Sequence, residues 1–198
     1  KGILAKLLEK GIQILLKKEC KQIGKIKIDI TASSIEIIKG IIQRIEIVAE
    51  GINYKDILFD EIELEANKVK VNFKLNSKEL KLINDPKIKF KIALSESSIR
   101  KILLSDNWNW IGNTITKEIL NKEKFKDIKI KNNQILIKAS KDKKTINEEE
   151  KFEIKAEEGK IYIGNKDYKK SIKIPIEDKV YVKNLTVIND IIMVFAIS

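Results

Sequence analysis

Few side chains in this sequence could perform covalent or redox chemistry. The chain has no His and a single Cys, at position 20. Catalysis by a serine-histidine-aspartate or cysteine-histidine set is therefore excluded within it, and a metal site of Cys and His ligands is not expected. Asp and Glu are plentiful, but they lie on the polar faces of predicted strands, and nothing indicates the cleft that a catalytic carboxylate pair needs. We expect no enzymatic activity, no catalytic residue and no metal.

Positive charge is the second chemical feature. Forty Lys and Arg against 29 Asp and Glu give a net charge of +11, and only Arg44 and Arg100 are arginines. Lysines spread along strands fit the solvation of polar sheet faces, and they also fit an anion-binding surface, so both alternatives remain. Nucleic acid is not an expected partner, because Arg is scarce and no strand interleaves aromatic and basic residues.

The two tryptophans, Trp108 and Trp110, flank Asn109. On a helix these two rings would point in different directions, so at least one would be partly exposed. Tryptophan prefers the boundary between water and an apolar phase, because its ring is apolar and its N–H needs a partner. The pair is therefore a candidate membrane contact, with an ordinary core position as the alternative.

The elements that position these side chains are predicted from hydrophobic periodicity. With 198 residues, of which 43% are apolar, the chain fits one domain with a substantial core. Residues 1–18 have an apolar stripe at helical spacing and form a predicted amphipathic helix. Residues 22–94 alternate as strands, residues 95–121 are helical, and residues 125–198 are β-rich. No apolar run approaches the roughly 20 residues that span a bilayer.

The stretch 33–75 organises the sheet. A Ser at position 33 or 34 caps a short helical segment, and Gly40 ends it in the left-handed conformation. The strand that follows residue 57 has its apolar residues at even positions up to Ala66 and at odd positions from Val69. A bulge near Asn67 and Lys68 would keep both halves facing inward and would bend the sheet. Farther along, Ser95 is a predicted helix N-cap and Asn132-Asn133 a predicted hairpin turn.

Residues 33–104 resemble the LmeA family of phospholipid-binding proteins of actinobacteria and cyanobacteria. The resemblance rests on the glycine at position 40, on the strand pair IQRIEIVAEGINYKDILFDEIELEANKVKVN and on the strand-to-helix step KIKFKIALSESSIRKILLS. It implies an envelope protein, periplasmic or peripheral to a membrane, that holds a phospholipid in an apolar groove. It also implies similarity to tubular lipid-binding folds. The family has no catalytic motif to transfer.

The predicted fold class is therefore α+β. We expect a strongly curved antiparallel sheet of about nine or ten strands wrapped around the N-terminal amphipathic helix, with one or two further helices after Ser95. The whole chain, residues 1–198, is expected to form a single lipid-binding-like domain.

The leading functional hypothesis is that a phospholipid or fatty-acyl chain binds in a groove between this helix and the sheet, in envelope lipid binding or transfer. The alternative is a structural or scaffolding protein with a fully packed interior, since an acyl chain and a leucine need the same neighbours. Expected partners are a phospholipid or membrane surface and an envelope protein; apart from a bound lipid, no cofactor is expected. The location is the cell envelope, with the cytoplasm as alternative. The candidate lipid-binding residues, all equally good core residues, are Leu8, Ile12, Leu15, Ile45, Ile47, Ile62, Leu64 and Phe90.

Overall fold

The computed structural model describes residues 2–74, 79–122, 124–140 and 148–198, and within these ranges it has four α-helices and twelve β-strands. The helices are α1 (Ile3–Glu19), α2 (Ser34–Ile38), α3 (Glu96–Leu104) and α4 (Asn109–Leu120). The strands are β1 (Ile26–Thr31), β2 (Ile41–Tyr54), β3 (Ile57–Lys74), β4 (Glu79–Leu82), β5 (Ile88–Ser95), β6 (Lys124–Lys131), β7 (Gln134–Ser140), β8 (Glu148–Glu157), β9 (Lys160–Gly164), β10 (Ser171–Ile174), β11 (Tyr181–Ile188) and β12 (Ile191–Ile197).

The strands form two antiparallel sheets. The large sheet has the order β1-β2-β3-β5-β12-β11, with β4 paired to the far end of β3, and the small sheet has the order β10-β9-β8-β7-β6. The α+β class with antiparallel sheets is confirmed. The prediction of one sheet of nine or ten strands is wrong, because the β-rich second half forms its own sheet and returns only β11 and β12 to the large one.

A long two-stranded ribbon, β2 with β3, is the centre of the large sheet. The predicted change from even to odd apolar positions in β3 is present, since Ala66 and Val69 are both buried and Lys68 between them has a φ of 53°. The predicted bulge is wrong in form. The register between the strands is continuous, with Ile45 opposite Ala66 and Ile42 opposite Val69. The apolar pattern therefore shifts by one residue in both strands at the same level, and neither strand has an extra residue opposite the other.

Local signals set the helix starts and the turns. Ser33 caps α2 in a capping box with Glu36, and the side chain of Ser95 accepts a hydrogen bond from the backbone of Ser98 at the start of α3. Gly40 has a φ of 70°, and a Cβ there would lie 2.2 Å from the carbonyl oxygen of Val71, so only glycine fits. Asn132 and Asn133 both have positive φ, as a two-residue hairpin turn between β6 and β7 requires.

Two hydrophobic clusters divide the interior. The α1 cluster joins Leu8 and Ile12 of α1 to Ile45 and Ile47 of β2, and α1 also contacts α2, β1 and β4. The α4 cluster lies under α3 and α4 and extends through β6, β7 and β8 to β11 and β12. The large sheet is thus covered by α1 and α2 over one part and by α3, α4 and the small sheet over another, so the predicted wrapping around the N-terminal helix is present only in part. No helix in the described ranges is long and apolar enough to cross a membrane.

A half-buried charge network anchors α3 to the small sheet. Arg100 Nε lies 2.5 Å from Asp127 Oδ1, and its Nη2 donates to Glu96 Oε1 at 2.7 Å and to the carbonyl of Ile128 at 3.0 Å. The other oxygen of Glu96 accepts from the backbone N–H of Ile130 at 2.8 Å. Burial acts to raise the pKa of Asp127, but the hydrogen bonds from Arg100 and from the Ile128 N–H outweigh it and hold that pKa below its usual range.

Candidate functional site

A cavity of about 450 Å³ lies along the line where the small sheet meets β11 of the large sheet. We call it the seam cavity. It is half-open to solvent, and residues from three strands, one turn and one loop contribute to it. These are Asn133, Gln134, Ile135, Lys151, Phe152, Glu153, Ile154, Lys155, Lys166, Tyr168 and Val187.

A change of strand partners along β8 places the seam cavity. The first half of β8 pairs with β7, and this ladder ends at Phe152 opposite Ile135. The second half pairs with β9, and that ladder begins at Glu153 opposite Gly164. Neither ladder therefore spans the whole of β8, and the cavity lies around the point of exchange. Strand β8 also contacts β11, although the two strands are not paired.

The two sheets are joined by hydrogen bonds on either side of this region. Between the β6–β7 and β11–β12 turns, the backbone N–H of Asn133 donates to Asp190 Oδ1 at 2.8 Å, and the N–H of Asp190 donates to Asn133 Oδ1 at 3.2 Å. At the β8–β9 turn, the N–H of Val182 on β11 donates to the carbonyl of Gly159 at 3.0 Å. These contacts hold the sheets together while β8 and β11 remain unpaired between them.

The inner wall of the seam cavity is apolar and continuous with the α4 cluster. Ile135 and Phe152 are buried members of that cluster. Ile154 and Val187 are half-buried and pack against it. An apolar group that entered the cavity would therefore contact the core and not only surface side chains.

The rim of the seam cavity is basic. It holds Lys151, Lys155 and Lys166 against one carboxylate, Glu153. Lys155 is half-buried, with its Nζ 4.4 Å from the centre of the Tyr168 ring and 3.0 Å from a carboxylate oxygen of Glu157. In the described part of the chain, Lys151 and Lys166 form no ion pair, which leaves two ammonium groups available to an anion.

Tyr168 is the rim residue with a perturbed ionisation. Burial raises its pKa first, and the negative charges of Glu153 and Glu157 raise it further. Its hydroxyl is therefore protonated throughout the neutral range and can donate a hydrogen bond. A rim of three ammonium groups, one carboxylate and one hydroxyl above an apolar wall is suited to an anionic head group that carries an apolar tail.

Six of the eight predicted lipid-binding residues pack in or against one of the two clusters, and none of the eight lines the seam cavity. Leu8, Ile12, Ile45 and Ile47 pack together in the α1 cluster, and Leu64 packs against it. Phe90 packs against the α4 cluster, and Ile62 is half-buried between neighbouring strands. Leu15 is 38% exposed, because it lies beyond the stripe of α1 that faces the sheet. The structure thus fills the space between Leu8, Ile12 and the ribbon with side chains.

Three of the predicted residues do meet at a second cavity, of about 230 Å³, on the large sheet. Ile47, Leu64 and Phe90 contribute to it, next to the charged side chains of the adjacent row. Those charges are already paired, for example Lys91 Nζ with Glu63 Oε1 at 2.5 Å. This cavity therefore offers less to a charged ligand than the seam cavity does.

The two tryptophans differ in environment. Trp108 packs against the α4 cluster, and its Nε1 donates to the carbonyl of Lys55 at 2.8 Å, so its indole joins the start of α4 to the β2–β3 turn. Trp110 is 47% exposed. Membrane contact at these residues stays a prediction, and only Trp110 presents a large part of its ring to solvent.

No sequence signal identified the seam cavity, because it depends on strands that are far apart in the chain. The turn signal at Asn132-Asn133 was the one part of it that could be found, and nothing local shows that this turn meets Asp190. Among the described residues, no group of three His, Cys, Asp or Glu side chains could hold a metal ion. Comparison of the chain with family models, curated proteins and solved structures finds no match, so the resemblance to the LmeA family stays a prediction.

Proposed function

We propose that this chain binds an anionic amphiphile, a fatty acid or a phospholipid, with its head group at the rim of the seam cavity and its acyl chain against the cavity wall. The observation that carries the proposal is the combination of a half-enclosed apolar wall with three rim lysines. The volume of about 450 Å³ falls within the range of roughly 300–1,000 Å³ that is typical of small-molecule sites. The site differs from the groove beside α1 that the sequence suggested.

Both parts of such a ligand would contribute to binding. Each methylene transferred from water to the wall stabilises the complex by about 0.8 kcal/mol before ordering costs, so an acyl chain that inserts about six methylenes gains roughly 5 kcal/mol. The ammonium groups of Lys151 and Lys166 supply the preference for a negative head group. Since the wall is continuous with the α4 cluster, insertion requires the unpaired stretch of β8 and β11 to separate slightly.

One observation favours the alternative, a structural or scaffolding protein. Leu8 and Ile12 are buried against Ile45 and Ile47, so the region beside α1 needs no ligand to complete its packing. If the seam cavity likewise closes in solution, the chain would be a folded scaffold with a solid interior. A binding experiment separates the two functions.

The experiment is titration of the delipidated protein with oleate, below the concentration at which oleate forms micelles, followed by calorimetry. We expect one oleate per chain. The double variant Lys151→Glu and Lys166→Glu reverses two exposed rim charges and should weaken binding at least tenfold. The matched control reverses two exposed lysines that do not line the cavity, Lys101→Glu and Lys126→Glu, and should change the affinity less than twofold.

A cationic amphiphile, dodecyltrimethylammonium, tests the role of the head group. It should bind the natural protein more weakly than oleate does, and the rim double variant should reverse that order. The absence of oleate binding would contradict the proposed function, and so would equal losses in the rim and control variants.

A further inference from the structure

The large apolar side chains with the highest exposure in the described residues converge at one end of the molecule. They are 58% to 79% exposed and come from the start of α1, from the helix α2, and from the end of β4 with the residue that follows it. We call this surface the apolar tip. Its members are Ile3, Ile35, Ile38, Leu82 and Ile83.

The three elements of the apolar tip are in contact. Helix α1 touches both α2 and β4. The chain that leaves α2 accepts a hydrogen bond at the carbonyl of Gly40 from the N–H of Val71, at 2.8 Å, and Val71 is paired in register with Leu82. Beneath the exposed side chains, Ile37 and Leu80 pack into the α1 cluster. The tip is therefore continuous with the α1 cluster beneath it.

The charge around the apolar tip is positive. The segments that form and surround it contain seven lysines and four carboxylates, in residues 2–10, 33–40, 68–72 and 79–87. The carboxylate of Glu36 is already engaged by the N–H of Ser33 at 2.7 Å and by the side-chain amide of Gln43 at 2.6 Å. Lys6, Lys39 and Lys81 are exposed beside the apolar residues. The tip therefore combines exposed aliphatic groups with ammonium groups that can reach an anionic surface.

We propose that the apolar tip docks on the surface of a bilayer that contains anionic phospholipid. Aliphatic side chains that project from three elements can enter the interface between head groups and acyl chains, and lysines around them meet the lipid phosphates. A protein partner is less well matched, because the centres of protein interfaces are enriched in aromatic residues and Arg, and the tip has neither. The proposal does not depend on a ligand in the seam cavity.

This surface is distinct from the tryptophan contact that the sequence suggested. Trp108 is bonded to the β2–β3 turn at Lys55, whereas the apolar tip adjoins the opposite end of the ribbon, where β2 begins. The 14 residues of β2 would extend to about 45 Å if straight, at roughly 3.3 Å per residue. Docking through the tip therefore leaves Trp110 in water, and the two contacts can be distinguished by tryptophan fluorescence.

The test is cosedimentation of the protein with vesicles of phosphatidylcholine that contain about one third phosphatidylglycerol, and with vesicles of phosphatidylcholine alone. We expect at least tenfold stronger binding to the anionic vesicles. The double variant Ile35→Asp and Ile38→Asp, at two exposed positions of α2, should weaken that binding at least tenfold. The matched control, Leu104→Asp and Ile188→Asp, alters two residues that are 50% and 53% exposed elsewhere and should bind like the natural chain. Thermal unfolding of each variant establishes that it is folded.

A probe at the tip gives an independent reading. With Cys20→Ser and Ile38→Cys, an environment-sensitive dye attached at position 38 should shift its emission to the blue on anionic vesicles, while the tryptophan emission stays unchanged. Equal vesicle binding by the tip and control variants would overturn the proposal. It would also be overturned by a blue shift of the tryptophans without one at position 38. Concentration-dependent dimers in sedimentation equilibrium that the tip variant abolishes would assign the surface to a second copy of the chain instead.

Discussion

The charge network around Arg100 permits a quantitative prediction about stability. Replacing Arg100 with Met retains much of the aliphatic stem but removes the hydrogen bonds to Asp127, Glu96 and the Ile128 carbonyl. These side chains are about one third exposed, so each charge-assisted bond is worth less than in a dry interior. We expect the free energy of unfolding to fall by about 2–3 kcal/mol at neutral pH. Arg44→Met, at a more exposed pair with Glu65, should lower the stability by less than Arg100→Met does.

The stability lost in Arg100→Met should depend on pH in a direction that follows from the pKa of Asp127. In the natural chain the folded pKa of Asp127 lies below the value of 3.8 expected without the fold, so its contribution is present above that value and is lost as the pH falls through the folded pKa. Without Arg100, the largest remaining influence on Asp127 is burial, which raises its pKa. Protonation of Asp127 at low pH then removes a partly buried charge and stabilises the folded variant. The difference in unfolding free energy between natural and variant chains should therefore shrink toward about pH 3.

Urea denaturation at a series of pH values, followed by circular dichroism, measures this difference. A loss that is the same at acidic and neutral pH would show that the ionised carboxylate of Asp127 contributes nothing to the effect. A loss no larger than that of Arg44→Met would refute the reasoning that partial burial makes this network strong.

Two further predictions concern the ribbon. Gly40→Ala should destabilise the chain by about 3 kcal/mol in urea denaturation, because it combines a positive φ with a Cβ 2.2 Å from the Val71 oxygen. Gly51 has a similar φ but no close contact, so Gly51→Ala should cost only about 1 kcal/mol. Equal losses of stability in the two variants would show that the contact with the Val71 oxygen does not contribute. Hydrogen bonds from Asn67, Lys89 and Arg44 lower the pKa of Glu65 to about 2, so its contribution to stability is present above the usual carboxyl pKa of 4.5 and disappears as the pH falls toward about 2. In Glu65→Gln the midpoint of thermal unfolding should therefore depend less on pH between those two values. An unchanged pH dependence would contradict this role of Glu65.

Signals that act within a few residues could be predicted from the sequence. Ser33, Ser95 and Gly40 perform the predicted capping and turning roles, because each depends on hydrogen bonds or backbone angles of the adjoining turn. The hairpin at Asn132-Asn133 formed for the same reason. Apolar periodicity likewise located buried faces, at helical spacing for Leu8 and Ile12 and as strand alternation for Ile45 and Ile47.

The interactions between distant segments could not be predicted. Alternation shows that a strand has an apolar face but not which element covers it, so it does not distinguish one large sheet from two. The exchange of partners along β8 depends on where β7 ends and β9 begins, and no residue of β8 itself specifies this. The bonds of Arg100 to Asp127 and of Trp108 to Lys55 join residues 27 and 53 positions apart, so no local pattern could indicate either.

The location of a bound acyl chain is the most direct measure of the proposed function. A fatty acid with a diazirine near the end of its chain, photolysed with the protein and mapped by peptide mass spectrometry, reports which residues touch the chain. We predict adducts on β8 around Phe152 and Ile154 and on β11 around Val187, and we expect that excess oleate removes them. Adducts confined to α1 and the adjoining part of β2, or adducts that oleate does not displace, would contradict the assignment of the seam cavity as the lipid site.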